Sequence, residues 1–184
     1  MEVLKNRSPL LERLNSLSTN EAEAEFHKCC GSRNWTRQMS KERPIGSLDE
    51  LISKADRIWW SLKPTDWLEA FRSHPKIGES SRGIAAGQTK MDRLKSRSQE
   101  WSEQEQSGVR NAAQETMQTL VKLNRKYEER FGYIFIICAT GKSSEEMLAL
   151  LRERLNNDPE KELRIAAEEQ SRITQLRLKK LVDQ

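Results

Sequence analysis

The chain has 184 residues, of which 35% are apolar and 33% charged, and 32 basic against 28 acidic side chains leave a net charge of +4. That length supports one domain with a real but thin core, and no apolar run approaches the roughly 18 residues of a transmembrane helix. Both signs of charge are interspersed, so the small basic excess does not by itself indicate a polyanion partner. The start, Met1-Glu2-Val3-Leu4-Lys5, lacks a signal-peptide core, and Leu181-Val182-Asp183-Gln184 is not a peroxisomal or retention tripeptide. Cys29, Cys30 and Cys138 are an odd set with an adjacent pair, which points to a reducing compartment. No spacing suggests a metal site.

Ser8 as cap and Pro9 at the first helical position open a helix carrying Leu10, Leu11 and Leu14. A second helix is expected from near Asn20, with Glu23 as capping partner, Phe26 and Cys30 as an i, i+4 apolar pair, and Gly31 as its end. Ser32 to Met39 predicts a short helix bearing Trp35 and Met39, broken by Pro44-Ile45-Gly46. Ser47-Leu48-Asp49-Glu50 reads as a capping box, and the helix it opens aligns Leu48, Leu51, Ile52, Ala55, Ile58 and Trp59. Lys63-Pro64 ends it. Asp66 is the expected cap of the next helix, with Glu69 three residues on and Trp67, Ala70 and Phe71 as its apolar stripe.

Residues 79–100 are the one long irregular segment, and their position between two candidate motifs suggests a mobile cover. Their basic cluster, Lys90 to Arg97, lacks the aromatic interleaving of a nucleic-acid binder. The longest helix runs from Trp101 to Phe131, striped by Val109, Ala113, Met117, Leu120, Leu123 and Tyr127 and stopped by Gly132. Tyr133 to Ala139 is a short β-branched run, either a strand or a buried extended segment, with no convincing second strand to pair with it. Ser143 and Glu146 cap a helix carrying Met147, Leu150, Leu151 and Leu155. Asp158-Pro159 opens the last helix, with Leu163, Ala166, Ile173, Leu176 and Leu181 as its stripe. The result is an all-α, single-domain multi-helix bundle with one short extended segment near residues 133–139.

Four features could carry chemistry. His74 follows the face of Ala70 and Phe71 and is stopped at once by Pro75, which disfavours the α region for it. It would feel the negative end of the helix dipole, which favours the protonated form and suits proton transfer. The plain alternative is a histidine bonded to a helix-end carbonyl. Ser102-x-x-Glu105-Gln106 is either a capping box or a hydroxyl, a carboxylate and an amide gathered at a helix N-terminus for a polar ligand. Arg154 and Arg177 fall on core faces, so each needs an acidic partner or an anionic ligand. The amides of an extended run without a sheet also need partners, which an amide-rich ligand could supply.

His74-Pro75-Lys76-Ile77-Gly78, the Ser102-x-x-Glu105-Gln106 box, Phe131-Gly132-Tyr133-Ile134-Phe135-Ile136 and Ile173-x-x-x-Arg177-Leu178 together resemble the 2-oxo-4-hydroxy-4-carboxy-5-ureidoimidazoline (OHCU) decarboxylases of uric acid degradation. The likeness runs in unbroken order over about residues 22–182, which divides the chain into an N-terminal extension, 1–20, and a decarboxylase domain, 21–184. Cys29-Cys30-Gly31-Ser32, Thr65 to Phe71 and Phe135 to Ala139 resemble the decarboxylase domain of plant bifunctional allantoin synthases. The resemblance implies an all-α lyase that forms (S)-allantoin in purine catabolism, with no metal or organic cofactor. It implies His74 and Glu105 as catalytic groups. It implies substrate contacts from Pro75, Ser102, Gln106, the run Phe135, Ile136, Ile137, Cys138 and Ala139, and a carboxylate-binding Arg177, with Arg154 as second choice. Implied partners are the small-molecule substrate and a second copy in a homodimer, with no nucleic acid and no membrane. The plant proteins continue into a 5-hydroxyisourate hydrolase domain, whereas this chain stops at Gln184, which implies either an isolated domain or a single-function form. Localisation is expected in peroxisome or cytoplasm. The competing class is a helical protein-interaction module without chemistry, which would leave the spontaneous decay of the substrate unchanged.

Overall fold

The computed structural model describes residues 9–76 and 114–183. Within them lie eight helices: α1 (Pro9–Ser16), α2 (Thr19–Cys29), α3 (Arg33–Lys41), α4 (Leu48–Ser61), α5 (Pro64–Phe71), α6 (Gln114–Phe131), α7 (Ser144–Arg154) and α8 (Pro159–Asp183). No strand occurs among the described residues, and residues 134–139 take up neither helix nor strand, so the fold is all-α. The expected cover at 79–100 and the first turns of the helix expected from Trp101 lie outside the described residues.

The chain divides into two compact units. The first takes residues up to Ala70 and returns with Ser171 onward. Its core holds Phe26 edge-on to Trp35, with ring centroids 6.0 Å apart at 90°. Trp35 Nε1 donates to the Ala55 carbonyl at 3.1 Å and Trp67 Nε1 to the Trp59 carbonyl at 3.0 Å, so both indoles are buried with their one donor satisfied. Asp56 on α4 accepts from Ser171 Oγ at 2.6 Å and from Gln175 Nε2 at 2.8 Å, which ties the C-terminal part of α8 to α4. Arg43 donates to the Leu14 and Leu17 carbonyls at 2.8 and 2.7 Å, satisfying acceptors that the end of α1 leaves open. Asn15 brackets Ile45, accepting its N–H at 2.9 Å and donating to its carbonyl at 2.8 Å.

Helix starts depart from the sequence reading in two places. The box of α2 is Ser18 with Glu21, two residues before the expected Asn20 and Glu23. Both pairs have suitable spacing, but only Ser18 has a side chain that accepts the third helical N–H and a box that closes in return. The helix α5 starts at Pro64, where a fixed φ and a missing N–H cost nothing. Asp66 is therefore inside the first turn, and its Oδ2 reaches back to Lys63 N–H at 3.2 Å.

The second unit runs from Phe71 to Gln170. The helices α6 and α7 and the first half of α8 surround the extended run. Gly132, at φ +78°, ends α6 and donates to the Glu128 carbonyl at 2.8 Å. The chain then turns Tyr133, Phe135, Ile136, Ile137, Cys138 and Ala139 inward, all buried. Tyr127 packs against Phe131, Tyr133 and Phe135 with centroids 4.6, 5.8 and 5.3 Å away. The buried face of α8 differs from the expected stripe. Leu163 is half-buried, while Glu162 and Gln170 are fully buried beside Ala166 and Ala167. Polar side chains occupy core positions there because each has a partner, as the site shows.

Candidate active site

His74 lies just past α5, and its N–H donates to the Phe71 carbonyl at 3.2 Å, closing a turn before Pro75. Its Nε2 is 2.7 Å from Gln170 Oε1, and Gln170 is fully buried. The histidine is thus held at its backbone by the helix end and at its ring by α8. Lys76 pairs with Glu128 on α6 at 2.7 Å, at a partly exposed site. Pro75 is half-buried between them in sequence.

The extended run is held by side chains rather than by a sheet. Phe135 N–H donates to Asn124 Oδ1 at 3.2 Å and Cys138 N–H to Glu169 Oε2 at 2.7 Å. The Ile136 carbonyl accepts from Arg154 Nη1 at 2.9 Å, and the Cys138 carbonyl from Lys142 Nζ at 2.8 Å. These bonds satisfy part of the run's backbone. Ile137 is 7% exposed, and its N–H and carbonyl have no partner among the described residues.

Arg154 is 5% exposed and faces Glu162, which is 0% exposed. Arg154 Nη2 lies 2.6 Å and Nε 2.8 Å from Glu162 Oε1, and the guanidinium carbon is 4.6 Å from the centroid of Phe135. The Tyr127 hydroxyl donates to the same carboxylate, and Asn157 Nδ2 reaches Oε2 at 2.7 Å. Burial, the largest cause, pushes the Tyr127 hydroxyl far above its ordinary pKa, with the Glu162 charge adding to it. Burial likewise raises Tyr133 to about 12. Among the described residues, the buried Asn124 Nδ2 and Tyr133 hydroxyl have no partner within hydrogen-bond geometry.

Arg177 belongs to the first unit and is 1% exposed. It is a long charged side chain buried near Cys29 and Cys30, whose thiols it draws downward against the larger effect of burial. Cys30 is still pushed up to about 12, and Cys29 is also raised. All three cysteines are buried free thiols. Ser102, Glu105 and Gln106 lie outside the described residues, as do Ile77 and Gly78. His74 and the run Phe135 to Ala139 fall in one unit, both anchored to α8 by adjacent residues. Sequence reasoning missed Asn124, Glu162, Glu169 and Gln170. The signal was available on α8, where Glu162, Ala166, Gln170, Ile173 and Arg177 recur at helical spacing and so put polar groups on the buried face.

A helix-end histidine and a run of chain clamped by side chains rather than by a sheet thus share one unit of an all-α chain. The family model for OHCU decarboxylase matches residues 15–179. The chain is 40% identical over 161 residues to the uric acid degradation bifunctional protein TTL of Arabidopsis thaliana, covering 86% of this chain and 47% of that one. It is 36% identical over 142 residues to the 2-oxo-4-hydroxy-4-carboxy-5-ureidoimidazoline decarboxylase of Amia calva, covering 76% and 75%. A crystal structure of OHCU decarboxylase in the presence of (S)-allantoin superimposes with a TM-score of 0.72 at 38% identity, covering 88% of this chain and 99% of that one. A crystal structure of (S)-allantoin synthase, 17% identical with a TM-score of 0.67, shares the fold. This chain belongs to the OHCU decarboxylase family. It spans about half the length of the Arabidopsis relative.

Proposed function

We propose that this chain removes the carboxylate of OHCU as carbon dioxide and delivers (S)-allantoin, a step of uric acid degradation, with no metal or organic cofactor. One observation carries the reading: a relative 38% identical over 88% of this chain was crystallised in the presence of (S)-allantoin. Among the described residues, no group of three His, Cys, Asp or Glu side chains could hold a metal ion.

The chemistry balances without one. The bond from the quaternary carbon to the carboxylate breaks, and its electron pair moves through the ring to the imine nitrogen, which takes a proton. The enol that results gives up its hydroxyl proton while the neighbouring carbon accepts one. The net change is one proton consumed and one carbon dioxide released. In this reading His74 and Glu105 manage the proton traffic, a task worth about 10²–10⁴-fold in rate. Pro75, Ser102 and Gln106 contact the substrate. The run from Phe135 to Ala139 meets the ureido and ring amides, and the Ile137 amide and carbonyl support this, being unused by the described residues. Arg177 holds the substrate carboxylate. Arg154, the alternative cation, faces Glu162.

Freshly generated OHCU tests the reading. Its optical signal should decay faster with the protein than without it, and circular dichroism should report one enantiomer of allantoin. An unchanged spontaneous rate with folded protein would overturn it in favour of an interaction module. The reading extends to a homodimer and to functional coupling with 5-hydroxyisourate hydrolase, for which the bifunctional character of the Arabidopsis relative is the support. It places the chain in the peroxisome or cytoplasm; no described helix is long and apolar enough to cross a membrane.

A further inference from the structure

Glu169 and Gln170 are consecutive on α8 yet hold two different parts of the second unit. The Glu169 carboxylate accepts the Cys138 N–H at 2.7 Å, and Gln170 Oε1 lies 2.7 Å from His74 Nε2. Glu169 is 8% exposed and Gln170 0% exposed, so neither amide nor carboxylate can turn to bulk water. One peptide unit of a rigid helix therefore spaces the imidazole from the extended run.

The atom types add a second constraint. A side-chain carbonyl oxygen only accepts hydrogen bonds. As placed, that oxygen faces His74 Nε2 at 2.7 Å, which pairs with a hydrogen on Nε2; an amide turned the other way would pair with the Nδ1–H tautomer. With the oxygen toward the ring, the lone pair of the neutral imidazole sits on Nδ1. A carboxylate at the same place would also fix the ring, but it would favour the imidazolium. The glutamine orients the ring as a neutral acceptor.

We propose that Gln170 is a positioning residue that holds His74 as the Nε2–H tautomer, so that Nδ1 is the nitrogen that takes a proton from the substrate and returns it. The proposal rests on the reading of His74 as the proton-transfer group. Gln170 touches no reacting atom in this scheme and acts through the histidine.

Histidine-labelled protein in a His27→Gln background leaves a single ring to read by two-bond ¹H–¹⁵N correlation. At a pH where the ring is neutral, Nε2 should show the shift of a protonated nitrogen and Nδ1 that of an unprotonated one. Gln170→Met keeps the length and removes the acceptor. It should shift the ring toward a mixture of tautomers and lower kcat about ten- to a hundredfold, with KM within about threefold. Gln170→Glu restores an acceptor and should restore the Nε2–H signature once the ring is deprotonated. A wild-type ring protonated on Nδ1, or a Met variant with unchanged kcat and tautomer, overturns the proposal. Should the Met variant fail to fold, the wild-type spectrum decides by the same two outcomes. Failure of the functional reading looks different: the wild-type protein would then leave OHCU at its spontaneous rate whatever the tautomer.

Discussion

The buried pair Arg154–Glu162 gives the sharpest quantitative test of the second unit. Glu162→Gln preserves shape and removes the charge that faces a guanidinium only 5% exposed. The carboxylate accepts from Arg154, Tyr127 and Asn157, and the amide can replace only part of that acceptor set. Breaking a buried ion pair from one side typically costs about 3–5 kcal/mol, because the surviving charge stays buried without compensation. Arg154→Met should cost a similar amount, since it also strips the Ile136 carbonyl of its 2.9 Å donor. The double variant, with Glu162→Leu, should recover much of the loss, because no charge is left in the core. Urea unfolding of wild type, Arg154→Met, Glu162→Leu and the double variant, read by fluorescence and by circular dichroism, closes the cycle with a coupling energy of about 2 kcal/mol or more. A Glu162→Gln variant within about 1 kcal/mol of wild type, or additive single variants, would refute the account of a closed ionic core.

His74→Ala and Glu105→Ala should each lower kcat by about two to four orders of magnitude with the far-ultraviolet spectrum unchanged; near-normal turnover in either removes that residue from the proton path. Arg177→Lys keeps the charge but loses the forked donor, and KM for OHCU should rise about tenfold or more in steady-state assays. Asn124→Ala should destabilise by about 1–3 kcal/mol and speed hydrogen exchange at the Phe135 amide, which loses its 3.2 Å acceptor. Burial raises Cys30 from 9.0 to about 12 and Tyr133 from 10.0 to about 12. Both folded values exceed the unfolded ones, so their contribution to stability is complete below the ordinary values and is lost as pH climbs toward about 12. The urea midpoint should therefore hold near neutrality and fall above pH 9, less steeply in Cys30→Ala.

How far the chain could be read ahead of its structure depended on the kind of signal. Caps and breakers are local, and Ser143 with Glu146, Asp158-Pro159 and Gly132 all act where the sequence places them. The two displaced starts, at Ser18 and Pro64, fell where competing residues two positions apart could each open the helix. The extended run was legible as an element because its β-branched residues lack a partner strand. Its restraints were not, since Asn124, Arg154 and Glu169 come from three different helices 11, 18 and 31 residues away in sequence. Periodicity marks which face of a helix is buried but not which polar group finds which. For Arg154 the sequence left an acid or an anion open, and the structure supplies Glu162. The roles proposed for His74, Glu105 and Arg177 come from resemblance.

The sheetless run has a consequence for how the site is built. In a β-sheet, backbone groups are satisfied by a neighbouring strand and have nothing left for a ligand. Here the flanking amides of Phe135 and Cys138 are held by Asn124 and Glu169, while Ile137 between them has a buried N–H and carbonyl that no described residue uses. A peptide group left unpaired in a core costs about 1–3 kcal/mol, so the side chains that α6, α7 and α8 turn toward Phe135, Ile136 and Cys138 are what let this run stay buried without a partner strand.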